Sequence, residues 1–93
     1  MELEIEHSKE RRRFFSIIEG KEAYLTYMND GDNILIFDHT YVPFSLRGKN
    51  IAAKIVERAL NYAKENKFKV VPSCSYVRAF IDRNKQFEEL VAE

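Results

Sequence analysis

Only one of the 93 residues is cysteine, Cys74. No intramolecular disulfide and no zinc cluster of Cys pairs can therefore form, and a lone cysteine suits a reducing compartment. Proline and glycine are also scarce, at two and three residues, while 45% of the chain is hydrophobic and 13% aromatic. That is the apolar content of a folded globule, not of a disordered tail. No window approaches the 18 apolar residues of a membrane-spanning helix. The opening Met1-Glu2-Leu3-Glu4-Ile5-Glu6 alternates acid and apolar residues where a signal peptide would need a basic stretch followed by an apolar run. A soluble cytoplasmic protein is expected, with no membrane partner. Independent domains run from about 50 to 250 residues, so one domain over 1–93 is expected.

Net charge is missing too: fifteen basic residues balance fifteen acidic ones. A general polyanion binder is disfavoured, and nucleic acid is not expected as a partner. The balance is uneven along the chain, since residues 1–44 hold nine acids and five bases and the remainder ten bases and six acids. An anionic ligand would be held by the second half.

Leu3, Ile5 and His7 alternate with Glu2, Glu4 and Glu6, the period of two of a half-exposed strand. Phe14 to Ile18 and Ala23 to Met28 flank Glu19-Gly20 and read as a hairpin. Asn29-Asp30-Gly31-Asp32-Asn33 marks a turn before a fourth strand from Ile34 to about Val42. The period then changes. Ala52, Ile55, Val56, Ala59, Leu60 and Ala63 fall on one face of an amphipathic helix over about 48–66, with Asn66-Lys67 as its stop. Phe68 to Val71 forms a fifth strand closed by Pro72. Ser75 would cap a second helix carrying Tyr76, Val77, Phe80 and Ile81, and Phe87, Leu90 and Val91 make a last apolar turn. The predicted fold is α+β, with a mostly antiparallel sheet and the order β-β-β-β-α-β-α, its layering close to a three-layer α/β arrangement.

The stretch that carries chemistry is Val42-Pro43-Phe44-Ser45-Leu46-Arg47-Gly48-Lys49-Asn50-Ile51-Ala52, between a strand and a helix. A basic, glycine-containing turn leading into a helix N-terminus makes an anion site, because free backbone N–H groups and the helix dipole face the turn. The plainer reading is that Gly48 merely permits the turn and that Arg47 and Lys49 are solvated.

This segment resembles the acetyl-CoA motif of the GCN5-related N-acetyltransferases, Gln/Arg-x-x-Gly-x-Gly/Ala, with Arg47 first, Asn50 in the first glycine position and Ala52 last. Asn50 departs from the pattern, although Asn reaches left-handed conformations better than most residues. The match is closer to a small single-domain subfamily, whose pattern is similar to His39-Thr40-x-Val42-x-x-x-x-Arg47-Gly48-Lys49-x-Ile51-Ala52 and then Val71-Pro72-x-Cys74-Ser75-Tyr76-Val77. The resemblance implies a minimal acetyltransferase-type core in which Val42 and Arg47 to Ala52 (Arg47, Gly48, Lys49, Asn50, Ile51, Ala52) bind acetyl-CoA or CoA. It also implies that Cys74 lies near the acetyl group and that an amine of unidentified kind is the acceptor. An acetyl-cysteine intermediate is proposed in this subfamily.

A thiolate is a strong nucleophile, and a helix N-terminus favours the charged form, which is the setting expected for Cys74. His39 is a candidate base if the two meet in space. The plainer readings are a buried structural cysteine and a packed strand histidine. Tyr76 occupies the region where many larger relatives place a general acid near the CoA sulfur. His7 has nothing in sequence to argue for a role. Arg11-Arg12-Arg13 beside Glu6 and Glu10 reads as a solvated strand entry, with RNA or a phosphorylated partner as the other reading. The functional alternatives are thus an acetyl-CoA-dependent N-acyltransferase, a CoA-binding sensor or interaction module without catalysis, and a nucleic-acid-binding α/β domain.

Overall fold

Strand alternation decides which residues the sheet buries, and here it separates one dry face from one wet face. The computed structural model describes residues 3–92; Met1, Glu2 and Glu93, and with them the start of the first predicted strand, lie outside it. The elements are β1 (Glu6–Ser8), β2 (Arg13–Ile18), β3 (Lys21–Asn29), β4 (Ile34–Tyr41), α1 (Ile51–Glu65), β5 (Lys69–Pro72) and α2 (Ser75–Arg83). Short 3-10 turns span Phe44–Leu46 and Lys85–Leu90. The sheet order is β1-β2-β3-β4-β5, with β1 to β4 antiparallel and β5 parallel to β4.

A two-residue turn joins β2 to β3, and both its residues take positive φ, Glu19 at 53° and Gly20 at 77°. That twist matches the flanking strands, as in hairpin turns of the primed type. Inner-face residues Phe14, Ala23, Leu25, Leu35, Phe37 and Val70 are fully or almost fully buried, and α1 covers them with Ile51, Ile55, Val56, Ala59, Leu60 and Ala63. Val77 and Ile81 of α2 and Phe87 and Leu90 complete the same core. On the outer face Ile17 and Met28 stay exposed, at 62% and 49%.

The α+β class and the strand order are therefore as expected. Both helices contribute to one buried core.

Three local boundaries differ. The first strand is only three residues long, because pairing with β2 starts at Glu6. Helix α1 starts at Ile51, not near Gly48, since Gly48 and Asn50 hold left-handed φ values of 83° and 64° that no helix contains. As a result Ile51 joins the core, while Ala52, expected there, is half-buried at the helix start. Helix α2 is capped by Cys74, with extended φ −78° and ψ 130°, and Ser75 is already helical.

Candidate functional site

Strands β4 and β5 run side by side only from Ile34↔Lys69 to Phe37↔Pro72 and then part. The cause lies on the other flank of β4. Its register with β3 slips between Thr26, opposite His39, and Tyr27, opposite Phe37, which leaves Asp38 as an extra residue. Such a bulge bends its strand and re-aims the residues beyond it. Past Phe37, β4 keeps its bonds to β3 up to Tyr41, whereas β5 ends and the chain turns into α2. One backbone edge of β4 therefore faces open space.

That space is a cleft of about 440 Å³, walled by Thr40, Tyr41 and Val42 of β4 and its end, by Leu46, Arg47, Gly48, Asn50, Ile51 and Ala52, and by Tyr76 of α2. The volume is within the range of small-molecule pockets.

Along one wall the chain is shaped to expose N–H groups. Gly48 and Asn50 turn it through left-handed conformations, and a Cβ at Gly48 would meet nothing within 4 Å, so conformation, not contact, selects glycine. The first helical hydrogen bond runs from Lys54 N–H to Asn50 O at 3.3 Å. The N–H groups of Ile51, Ala52 and Ala53 precede it and have no helical acceptor. No side chain caps this end and no acid stands in the first turn, so the positive pole of a 15-residue helix is uncompensated. Arg47 adds charge and is aimed: its Nε donates to Val42 O at 2.9 Å. The Val42 carbonyl is thereby occupied by the chain itself. Lys49 is exposed on the same turn.

Thr40 and Tyr76 are also on the cleft wall, and Cys74, which is not itself one of the walling residues, adjoins them through Thr40. The Cys74 N–H donates to Phe37 O at 3.0 Å, bridging the point where the strands part, and Sγ lies 3.5 Å from Thr40 Oγ1. Burial raises the pKa of the thiol, but the Thr40 hydroxyl and the backbone N–H groups of Val77, Tyr76 and Thr40 together outweigh it and set the value below that of an ordinary cysteine. A helix N-terminus and a hydroxyl thus favour the thiolate. Tyr76, 40% exposed, is pushed the other way: burial raises its pKa, only partly offset by Arg83, so its phenol keeps its proton at neutral pH.

His39 does not meet Cys74. Neighbouring strand residues point to opposite faces, and Thr40 is the one turned to the sulfur. The His39 ring lies instead 6.1 Å from that of Tyr24, on the outer face. Sequence spacing could not show this, because both residues belong to one short motif. Thr40, conversely, stood in that motif without a role, and its role depends on the bulge. The other histidine is built into the core side: His7 Nε2 and Tyr27 Oη are 2.6 Å apart, and the imidazole stacks on Phe14 at 4.0 Å and 9°. Arg11 and Arg13 both pair with Glu22 at 3.3 Å and sit over Phe15 and Tyr24. Among the described residues no group of three or more His, Cys, Asp or Glu is placed to hold a metal, and no helix is long and apolar enough to cross a membrane.

Residues 13–90 match the model of a family described as GCN5-related N-acetyl-transferase. The chain belongs to that family. It is 32% identical to Protein NATD1 of Danio rerio over 84 residues, which are 88% of this chain and 76% of that protein. It is 31% identical to Protein NATD1 of Gallus gallus over the same share of each. The fold is that of a GCN5-like protein from Staphylococcus aureus solved by NMR, with a TM-score of 0.76, 24% identity, and coverage of 97% of this chain and 88% of that one. The family generally uses acetyl-CoA as cosubstrate; in this chain the N–H turn and Thr40 wall one cleft, and the Cys74 sulfur touches Thr40.

Proposed function

We propose that the protein binds acetyl-CoA in the β4 cleft and transfers the acetyl group to an amine, with Cys74 at the acyl end. The observation that carries this reading is one cleft that joins the uncompensated N–H turn at Gly48–Ala52 to Thr40, whose hydroxyl touches the Cys74 sulfur. The N–H groups of the turn and the Arg47 guanidinium hold the pyrophosphate. The free edge of β4 pairs with the amides of the pantetheine arm, as an added strand would. Bound acetyl-CoA supplies an activated thioester.

The Cys74 thiolate attacks the thioester carbonyl, and the bond to the CoA sulfur breaks, so one thioester replaces another. An amine in its neutral form then attacks the acetyl-cysteine, the C–S bond breaks, and an amide and the Cys74 thiolate result. The proton lost by the amine matches the one taken up by the CoA thiolate, for which the protonated Tyr76 on the cleft wall is the donor. No histidine base is required in the first step, because Thr40 and the start of α2 already favour the thiolate.

Intact mass spectrometry after incubation with acetyl-CoA tests the relay. A single acetyl adduct that is absent in Cys74→Ser is expected; an adduct retained in that variant refutes Cys74 as the carrier. The outward placement of His39 favours a second reading, a CoA-binding module without turnover. It predicts CoA binding with neither adduct nor acetylated amine.

A further inference from the structure

Phe44 is the most exposed large apolar side chain among the described residues, at 83%. It stands on the 3-10 turn between β4 and the N–H turn, two residues beyond Val42 and three before Arg47. The core does not use it. Its neighbour is Arg47, whose guanidinium carbon lies 5.6 Å from the ring centroid while Nε is fixed on Val42 O. A planar cation and an aromatic ring are thus held together beside the N–H turn, where Arg47 walls the cleft. Lys21 brings a further ammonium to the same turn, 2.7 Å from Ser45 Oγ.

A flat ring left in water next to fixed positive charge is what a nucleobase carrying phosphates would complete, since stacking tolerates any base and the cations meet the phosphates. We propose that Phe44, backed by Arg47, is the stacking platform for the adenine of CoA. This rests on the cofactor reading above and adds to it the residue that recognises the nucleotide half of the ligand.

Calorimetric binding of CoA and of 4′-phosphopantetheine, which lacks the 3′-phosphoadenosine and one pyrophosphate phosphate, separates the claims. Phe44→Ala is expected to weaken CoA about tenfold, in line with the loss of one base–aromatic stack, and to leave 4′-phosphopantetheine unchanged. The variant should fold normally, because the ring is almost wholly exposed, and its melting curve checks this. The chain has no tryptophan, so Phe44→Trp introduces a single reporter. Its fluorescence should be quenched by CoA and not by 4′-phosphopantetheine. Unchanged CoA affinity in Phe44→Ala, or an equal loss for both ligands, overturns the platform while leaving the cleft assignment standing. Wild-type protein that binds neither ligand overturns the cleft assignment and the platform with it.

Discussion

Cys74 Sγ lies 3.5 Å from Thr40 Oγ1, across the gap that opens where β5 stops and β4 continues. The contact joins the start of α2 to the bulged part of β4, and it is one of the interactions that lower the thiol pKa against the opposing effect of burial. Alkylation rate against pH measures this directly. The wild-type midpoint should fall below the unperturbed thiol value of 9.0. Thr40→Val removes the hydroxyl but keeps the shape, so burial acts with less opposition and the midpoint moves up. Superimposable profiles for the two proteins would show that Thr40 does not tune the sulfur.

Asn50 holds a left-handed φ of 64° at the cap of α1 and makes no side-chain cap bond. Its value to the fold is conformational, so Asn50→Gly should keep stability within about 1 kcal/mol and bind CoA at least as well. Asn50→Val places a β-branched residue in that region. A loss of about 1–2 kcal/mol or more in denaturant unfolding is expected, with weaker CoA binding.

Gly48 takes φ 83° with nothing near a would-be Cβ. Gly48→Ala should therefore cost about 1–2 kcal/mol through backbone strain, not through a clash. Arg47→Ala removes a charge and the bond to Val42 O. Weaker CoA binding is expected in both, with a smaller salt dependence only in Arg47→Ala. CoA affinity unchanged in both folded variants would place the anion elsewhere.

His7 ties β1 to the core through Tyr27 and Phe14, and its pKa is lowered by burial first and then by Lys9 and Arg58. A lowered histidine pKa means that the unfolded chain binds the proton more readily. Stability from this group is intact above its ordinary pKa near 6.5 and is lost as pH falls from there through the lowered folded value. Thermal unfolding at pH 7 and pH 5 should show a drop in wild type that is smaller in His7→Phe. Equal drops would remove His7 from the acid response.

How much of this was legible in the sequence depends on the range of the interaction. The hairpin at Glu19-Gly20, the turn before Ile34 and the α1 face are local patterns, and they form as their periodicity predicts. The motif from Arg47 to Ala52 was legible for the same reason, and the left-handed Asn50 agrees with the tolerance of its residue type. The bulge at Asp38 was not legible, because it arises from a mismatch between β3 and β4 that neither strand shows alone. Yet the bulge decides that Thr40, not His39, turns toward Cys74. The His7 cluster was invisible likewise, as its partners come from β2, β3 and α1.

Binding of CoA in one cleft, with its phosphates at the N–H turn and its sulfur near Cys74, is the central claim. Titration of the labelled protein with CoA, followed by amide NMR, tests it most directly. Shifts are predicted to concentrate at Thr40 to Val42, Gly48 to Ala53 and Cys74 to Val77, with His7 and the outer-face Tyr24 and Ile17 little affected. Shifts centred on the outer face, or none at saturating CoA, would contradict it.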